Sequence, residues 1–219
     1  MKGIFITIEG NDGSGKSTII KGIKAEFARR KLDVLFARRK LDVLFSRESG
    51  GSTIAEKIRE IILDPNNDKM DDRTEALLYA ASRRQHLVET IIPALEEGKI
   101  VICDRYIDSS LAYQGYARGI GIDEVYHMNM FATSGLLPDL TIYLLVKPEV
   151  GLSRKTKQKE LDRLEKENNS FHHQVYDGYL ELIPKFKDRV KVVNGEGSIE
   201  SVTAEVLKVI DDYINKCVK

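Results

Sequence analysis

Tryptophan is absent from this chain of 219 residues, and it holds only two cysteines and five prolines. Cys103 and Cys217 alone cannot build a disulfide framework or a four-cysteine zinc site. They suit a reducing compartment. No sign of charge dominates, because 34 basic residues balance 34 acidic ones. That argues against a dedicated nucleic-acid binder, which carries a basic excess. No run approaches the ~20 apolar residues that cross a bilayer. The first ten residues, MKGIFITIEG, show no apolar leader with a cleavage site. The expectation is a cytoplasmic protein with neither membrane nor nucleic acid as partner. Apolar residues make up 42% and charged residues of both signs 31%, which excludes a disordered composition. A chain of this length buries about 72% of its surface, enough for a core without staples.

What is present is a set of five short runs rich in Val and Ile. They are 3–9 (GIFITIE), 43–47 (VLFSR), 100–104 (IVICD), 140–146 (LTIYLLV) and 190–194 (VKVVN). None alternates cleanly between apolar and polar residues. Continuous apolar strands belong to a sheet covered on both faces. Helical periodicity fills 16–30, 53–63, 74–97 and 198–216, and a further helix is read near 123–134. The second stops at Asp64-Pro65 and the third at Gly98, both ordinary helix terminators. Strands alternating with helices predict an α/β fold with a parallel sheet. No polar or Pro/Gly-rich linker divides the chain, so residues 1–219 read as one domain.

Residues 27–35 read FARRKLDVL, and residues 36–44 repeat them without change. A period of nine occurring twice is not a solenoid. Nine residues turn a helix by about 900°, two and a half turns, which reverses its apolar face. An odd slip also reverses the faces of a strand. The extra residues must therefore loop out or extend an element without support. The copy adjoining Ser46-Arg47 is expected to supply the strand, and the duplication itself is read as having no function.

Gly10-Asn11-Asp12-Gly13-Ser14-Gly15-Lys16-Ser17 matches G-x-x-x-x-G-K-[ST] in full. It follows a predicted strand and opens a predicted helix. The glycines let successive N–H groups turn inward as an anion nest, and the helix N-terminus adds partial positive charge there. Lys16 is expected to reach the β- and γ-phosphates of ATP, with Thr18 completing the loop. Ser17 is expected to offer its hydroxyl to Mg²⁺. Asp104 ends a four-residue apolar run, at the strand edge where open α/β sheets bind ligands, and can hold the magnesium water shell.

Residues 104–121, DRYIDSSLAYQGYARGIG, closely resemble the acceptor-site motif of bacterial thymidylate kinases. Ile8-Glu9 before the phosphate loop, Ser46-Arg47-Glu48-Ser49-Gly50-Gly51, Tyr79-Ala80-Ala81-Ser82-Arg83 and Glu160-Leu161-Asp162-Arg163 fall in that family's order. The resemblance spans nearly the whole chain outside the duplicated nine. It implies a P-loop fold with a five-stranded sheet in the order 2-3-1-4-5, helices on both faces and a mobile lid near 153–170. It implies transfer of the ATP γ-phosphoryl to dTMP on the route to dTTP, and a homodimer. Arg47, Arg83 and Arg105 take the positions that grip the acceptor phosphate, a task for planar guanidinium forks. Tyr79 takes the position of a ring stacked on thymine. Ser110, Tyr113 and Gln114 line the base and sugar pocket, Tyr113 where the family screens the sugar 2′ position. Gln114 can read a pyrimidine edge with one donor and one acceptor. Asp12 matches a contact to the acceptor sugar, and Tyr179 a tyrosine that reaches towards the acceptor.

The segment 154–163, RKTKQKELDR, is basic in a neutral protein. The phosphate loop itself carries no arginine. The resemblance therefore implies a lid that supplies charge to the γ-phosphate, with Arg154 and Arg163 as candidates and Lys155, Lys157 and Lys159 as supporting field. No strong general base is required, because the attacking phosphate oxygen is already anionic. The four histidines receive no role, and the adjacent pair His172-His173 is expected to face solvent. Ser49 stands where the family has proline, which is expected to leave its loop freer and to weaken acceptor binding. Asn194-Gly195-Glu196-Gly197 stands where the family more often has Asp-Ala, near the expected adenine edge. Two other readings share the phosphate loop. One is a kinase for a different nucleoside or nucleotide, and the other is a nucleotide-binding protein whose turnover the duplication has cost.

Overall fold

The computed structural model describes residues 3–31, 42–155 and 162–217, with Lys31 and Lys155 described by backbone alone. Five strands form one sheet: β1 (Ile4–Glu9), β2 (Val43–Arg47), β3 (Ile100–Asp104), β4 (Leu140–Leu145) and β5 (Val190–Asn194). Their order is β2-β3-β1-β4-β5 and every pair is parallel. Both were expected.

The helices are α1 (Lys16–Lys31), α2 (Thr53–Leu63), α3 (Asp72–His86), α4 (Ile107–Ser110), α5 (Ile122–Thr133), α6 (Pro148–Lys155), α7 (Asn169–Lys185) and α8 (Ile199–Cys217). Of these, α4, α6 and α7 have no counterpart in the periodicity reading. Helix α3 starts two residues earlier than its apolar pattern suggests, because Asp71 caps it by accepting from the N–H groups of Arg73 and Thr74. It continues through a wide π-type turn, Leu87–Ile91, into Ile92–Glu96. Helix α4 likewise opens into a π-type turn, Leu111–Ala117, a feature common at functional sites.

Alternation along β1 sorts the core into two layers. Ile4, Ile6 and Ile8 join Ile19, Ile23, Val206 and Ile210 of α1 and α8 on one face. Phe5 joins Val101, Tyr143, Leu87, Leu111 and Tyr179 on the other. Glu9, two pleats on from Phe5, therefore points among α4 and α7. Burial on both faces explains why no strand shows polar alternation.

The first copy of the repeat ends α1 and the second begins β2. Phe27 meets Phe45 edge to face at 6.1 Å. Residues 32–41, and with them the path of the insertion, lie outside the described residues. β2 itself pairs with β3 from Val43↔Ile100 to Arg47↔Asp104. Its terminal loop is thus delivered to the sheet edge. The proposed lid, near 153–170, is described only in part, and Lys157 and Lys159 lie outside. No described helix is long and apolar enough to cross a membrane.

Candidate active site

At the carboxyl edge of β1, β2 and β3 lies a cavity of about 500 Å³. Its walls bring together phosphate-loop residues Asp12, Gly13 and Gly15–Thr18 with Arg47, Tyr79, Arg83, Asp104, Arg105, Ser110, Tyr113, Gln114 and Arg154. Residues spread over most of the chain thus meet at one sheet edge.

The phosphate loop is held from below and above. Asn11 Nδ2 donates to the Val146 carbonyl at 2.9 Å, tying the loop to the end of β4. Gly13 has φ +73°, and a Cβ there would lie 2.1 Å from the Gly151 carbonyl oxygen. Helix α6 therefore sits against the loop only because both contact residues are glycine. Lys16 is buried and donates to the carbonyls of Gly10 at 2.8 Å and Asn11 at 3.0 Å, and to Ser14 Oγ at 3.3 Å. Burial, reinforced by the nearby Arg105 charge, pulls its pKa down to about 7. An arriving phosphate would supply the missing counter-charge.

Arg105 has φ 67°, a left-handed conformation unusual for a side chain of its size. That turn aims its guanidinium back over the loop. Nη2 donates to Asp12 Oδ1 at 2.9 Å and to Tyr113 Oη at 3.2 Å. Nη1 donates to the Gly10 carbonyl and Ser109 Oγ, both at 3.0 Å, and to Tyr179 Oη at 3.3 Å. Behind it stands Glu9, which accepts from the Tyr106 N–H at 2.6 Å, Ser109 Oγ at 2.5 Å and Tyr179 Oη at 3.0 Å. Tyr179 is fully buried. Its hydroxyl braces Arg105.

Burial pushes the Glu9 carboxyl up to about 7, and the neighbouring Asp108 charge adds to the effect. A carboxyl raised in the folded state stabilises the fold fully below the unfolded value, near 4.5, and that contribution is lost as pH rises through 7. We expect stability to decline between pH 5 and 8 by on the order of 3 kcal/mol from this group. Glu9→Gln, which keeps the neutral form, should flatten that slope in urea titrations run at several pH values. An unchanged slope in the variant would remove Glu9 as its source.

Arg83 is buried and largely committed to the protein. Nε donates to Glu48 Oε2 at 2.6 Å, Nη1 to Ser110 Oγ at 3.1 Å and to Asn129 Oδ1, and Nη2 to the Tyr106 carbonyl at 3.0 Å. Of five N–H groups, one remains. Arg47 spans to Glu56, with Nη2 at 2.8 Å from both carboxylate oxygens, and donates to the Ser49 carbonyl at 2.8 Å.

Side chains tie the loop that carries Ser49. Arg59 Nη1 donates to the Ser49 carbonyl at 3.0 Å and hydroxyl at 3.2 Å, while the N–H of Gly50 donates to Ser82 Oγ at 3.1 Å.

The two candidate lid arginines separate. Arg154 of α6 donates to the Gly195 carbonyl at 3.1 Å and approaches the Gly13 carbonyl at 3.5 Å, over the phosphate loop. Arg163 is buried away from it, donating to the Ile62 carbonyl at 2.8 Å and to Glu75 Oε2 at 2.5 Å. These contacts tie it to α2 and α3. His172 is corrected: it is buried, with Nδ1 3.8 Å from Asp12 Oδ2. His173 is exposed.

Magnesium chemistry fits the residues present. Asp104 Oδ1 is buried with no hydrogen-bond partner among the described residues, and Ser17 opens α1 into the same cavity. No group of three or more His, Cys, Asp or Glu side chains stands ready to hold a metal among the described residues. An ion there would complete its shell with phosphate oxygens and water, as Mg²⁺ commonly does.

Several supporting residues escape sequence reasoning. Glu75, Asp108 and Asn129 are fully buried polar residues on helices. His86 lies 2.6 Å from Ser46 Oγ and 3.1 Å from Glu48 Oε1. No motif marks them.

A parallel sheet ending in a phosphate loop, with a buried lysine facing an arginine-lined acceptor pocket, defines a P-loop phosphotransferase. Comparison with known proteins narrows the class. The thymidylate kinase family model matches residues 8–206. A thymidylate kinase of Oceanobacillus iheyensis is 48% identical over 218 residues, 99% of this chain and 93% of that one. One from Clostridium novyi is 52% identical over 207 residues, 94% of this chain and 97% of that one. The crystal structure of thymidylate kinase from Ehrlichia chaffeensis superposes with a TM-score of 0.73 at 31% identity, covering 96% of this chain and 99% of that one. The chain belongs to the thymidylate kinase family.

Proposed function

We propose that this chain transfers the γ-phosphoryl group of ATP to dTMP, giving ADP and dTDP. The observation that carries the reading is the single cavity shared by Lys16 of the phosphate loop and the Arg105-centred acceptor wall. An oxygen of the dTMP phosphate attacks the γ-phosphorus as the bond to the β-bridging oxygen breaks. That oxygen is anionic at neutral pH, so positioning and charge stabilisation suffice. Lys16 and residues 10–18 hold the ATP phosphates. Arg47, Arg83 and Arg105, which all line the cavity, hold the acceptor phosphate. Arg154, seated over Gly13, neutralises charge on the transferring group. Asp12 and Ser110 frame the sugar. Tyr79 and Gln114 frame the base, and Tyr113 stands where it screens the sugar 2′ position.

Ser17 and Asp104 would hold Mg²⁺, which supplies Lewis-acid neutralisation of the phosphates when bound.

A homodimer accounts for the exposed apolar side chains Leu77, Val88 and Phe131. These lie on the packed pair α3–α5 and its continuation, where Arg84 reaches Ser134 Oγ at 3.1 Å. A monomer mass by light scattering at micromolar concentration would exclude it. Two free thiols suit a cytoplasmic location.

The direct test is a coupled ADP-release assay with ATP and Mg²⁺. It compares dTMP with dUMP, dCMP, thymidine and no acceptor. Turnover with dTMP well above the others is expected. Absence of acceptor-dependent turnover would overturn the reading and favour a nucleotide-binding protein.

A further inference from the structure

We infer that Glu75 is a positioning residue for acceptor selectivity: it holds the Gln114 amide in the one orientation that suits a thymine-type edge and opposes a cytosine-type edge. The inference rests on the reading above that Gln114 faces the acceptor base. Glu75 is fully buried on α3 and lies outside the phosphate-binding machinery. Its carboxylate accepts from Gln114 Nε2 at 2.8 Å, from Arg118 Nη2 at 3.1 Å and from Arg163 Nη2 at 2.5 Å. The two guanidiniums compensate a charge that would otherwise be untenable in the core.

An ionised carboxylate only accepts, so the amide must turn its NH₂ group towards Glu75. A flipped amide would set its oxygen against a carboxylate oxygen and leave two buried acceptors facing each other. The orientation is therefore fixed by chemistry. No described side chain donates to Gln114 Oε1, and Gln114 lines the cavity beside Tyr113. The carbonyl oxygen is left to meet the base, with the second amide hydrogen beside it.

Thymine carries an N–H donor at ring position 3 and a carbonyl at position 4. Cytosine carries a lone pair at position 3 and an amino group at position 4. A fixed carbonyl-plus-N–H pair matches the first edge and meets the second acceptor to acceptor and donor to donor. A site built to hydrogen-bond one pattern rejects the other strongly, because its own buried groups go unpaired. Without Glu75 the amide is free to turn over and serve either base. The same carboxylate holds Arg163, so Gln114 and Arg163 share one anchor.

The test is the ratio of kcat/KM for dTMP to that for dCMP, in the full chain and in three variants. The parent should favour dTMP by about 100-fold or more. Glu75→Gln can accept from or donate to the Gln114 amide, so the ratio should fall about tenfold, with kcat/KM for dCMP rising in absolute terms. A merely weakened fold would lower both substrates together. Glu75→Asp keeps the charge that the two arginines need and withdraws the acceptor by one methylene. It should also lower the ratio, and it serves if Glu75→Gln does not fold. An unchanged ratio in either folded variant overturns the inference, as does a parallel fall for both substrates. Gln114→Leu separates the two levels. If it leaves dTMP kinetics untouched, the placement of Gln114 at the base fails. If it impairs dTMP while the Glu75 variants keep the ratio, the role of Glu75 alone fails.

Discussion

Replacing Arg105 with methionine should lower kcat/KM for dTMP by about a thousandfold or more, the scale of removing a preorganised cation from a phosphoryl-transfer site. Arg105 is the point where the two halves of the site meet. Its guanidinium touches Gly10 and Asp12 of the phosphate loop on one side and Tyr113 of the acceptor wall on the other. Its φ of 67° lies in the left-handed region that large side chains rarely adopt. Arg105→Lys retains charge without the planar fork, so a loss of about a hundredfold is expected. ATP binding by titration calorimetry should change by less than about threefold in both variants, since Lys16 and the loop amides remain. The melting temperature should be followed in parallel, because Asp12 loses its partner. A variant within about tenfold of the parent would remove Arg105 from the acceptor site.

The largest expected loss of stability is at Arg189→Met. Asp108 is fully buried, and Arg189 meets it with two parallel bonds, Nη1 to Oδ2 at 2.8 Å and Nη2 to Oδ1 at 2.9 Å. Tyr143 Oη adds a third bond at 2.8 Å, and Arg189 Nη1 also reaches Thr141 Oγ1 at 2.7 Å. The pair fastens α4 to β4 and to the start of β5. Removing the cation strands a carboxylate in the core, which costs about 3–5 kcal/mol. For a chain of this size that is roughly 10 °C in Tm. Asp108→Asn should cost less, because the amide oxygen still accepts from Arg189 and no charged carboxylate is left buried. Combining Asp108→Leu with Arg189→Met should recover part of the loss, since neither charge is then buried. A loss below about 1 kcal/mol in Arg189→Met would show that Asp108 is solvated by other means. The consequence reaches the active site, because α4 and its π-type turn carry Ser109, Ser110, Tyr113 and Gln114. A loosened α4 should raise KM for dTMP before it changes kcat.

The phosphate loop is legible in the chain because its chemistry is local. Eight consecutive residues supply the nest, the lysine and the hydroxyl, and the flanking strand and helix are set by short-range patterns. The strands are legible for a related reason. Burial on both faces demands unbroken apolar runs, and β2, β3 and β5 coincide with theirs to the residue. The family, and with it the sheet order, is legible through the Asp104-Arg105-Tyr106 segment, which few other enzymes share.

What tertiary structure decided is the partner of each charge. Arg163 and Arg154 stand nine residues apart in one basic segment, with equal claim on the γ-phosphate. Only folding turns one over Gly13 and the other onto Glu75. Arg83 reads as a free cation until Glu48, Ser110, Asn129 and Tyr106 take up its donors. Only folding brings Arg59 and Ser82 onto the loop that carries Ser49. Tyr179 and His172 acquire their places only when α7 packs beneath the phosphate loop. A buried charge must find its counter-charge wherever the fold brings one within hydrogen-bond reach. Those partners lie 35 to 88 residues away in the chain for Arg83–Glu48 and Arg163–Glu75, far beyond any local pattern.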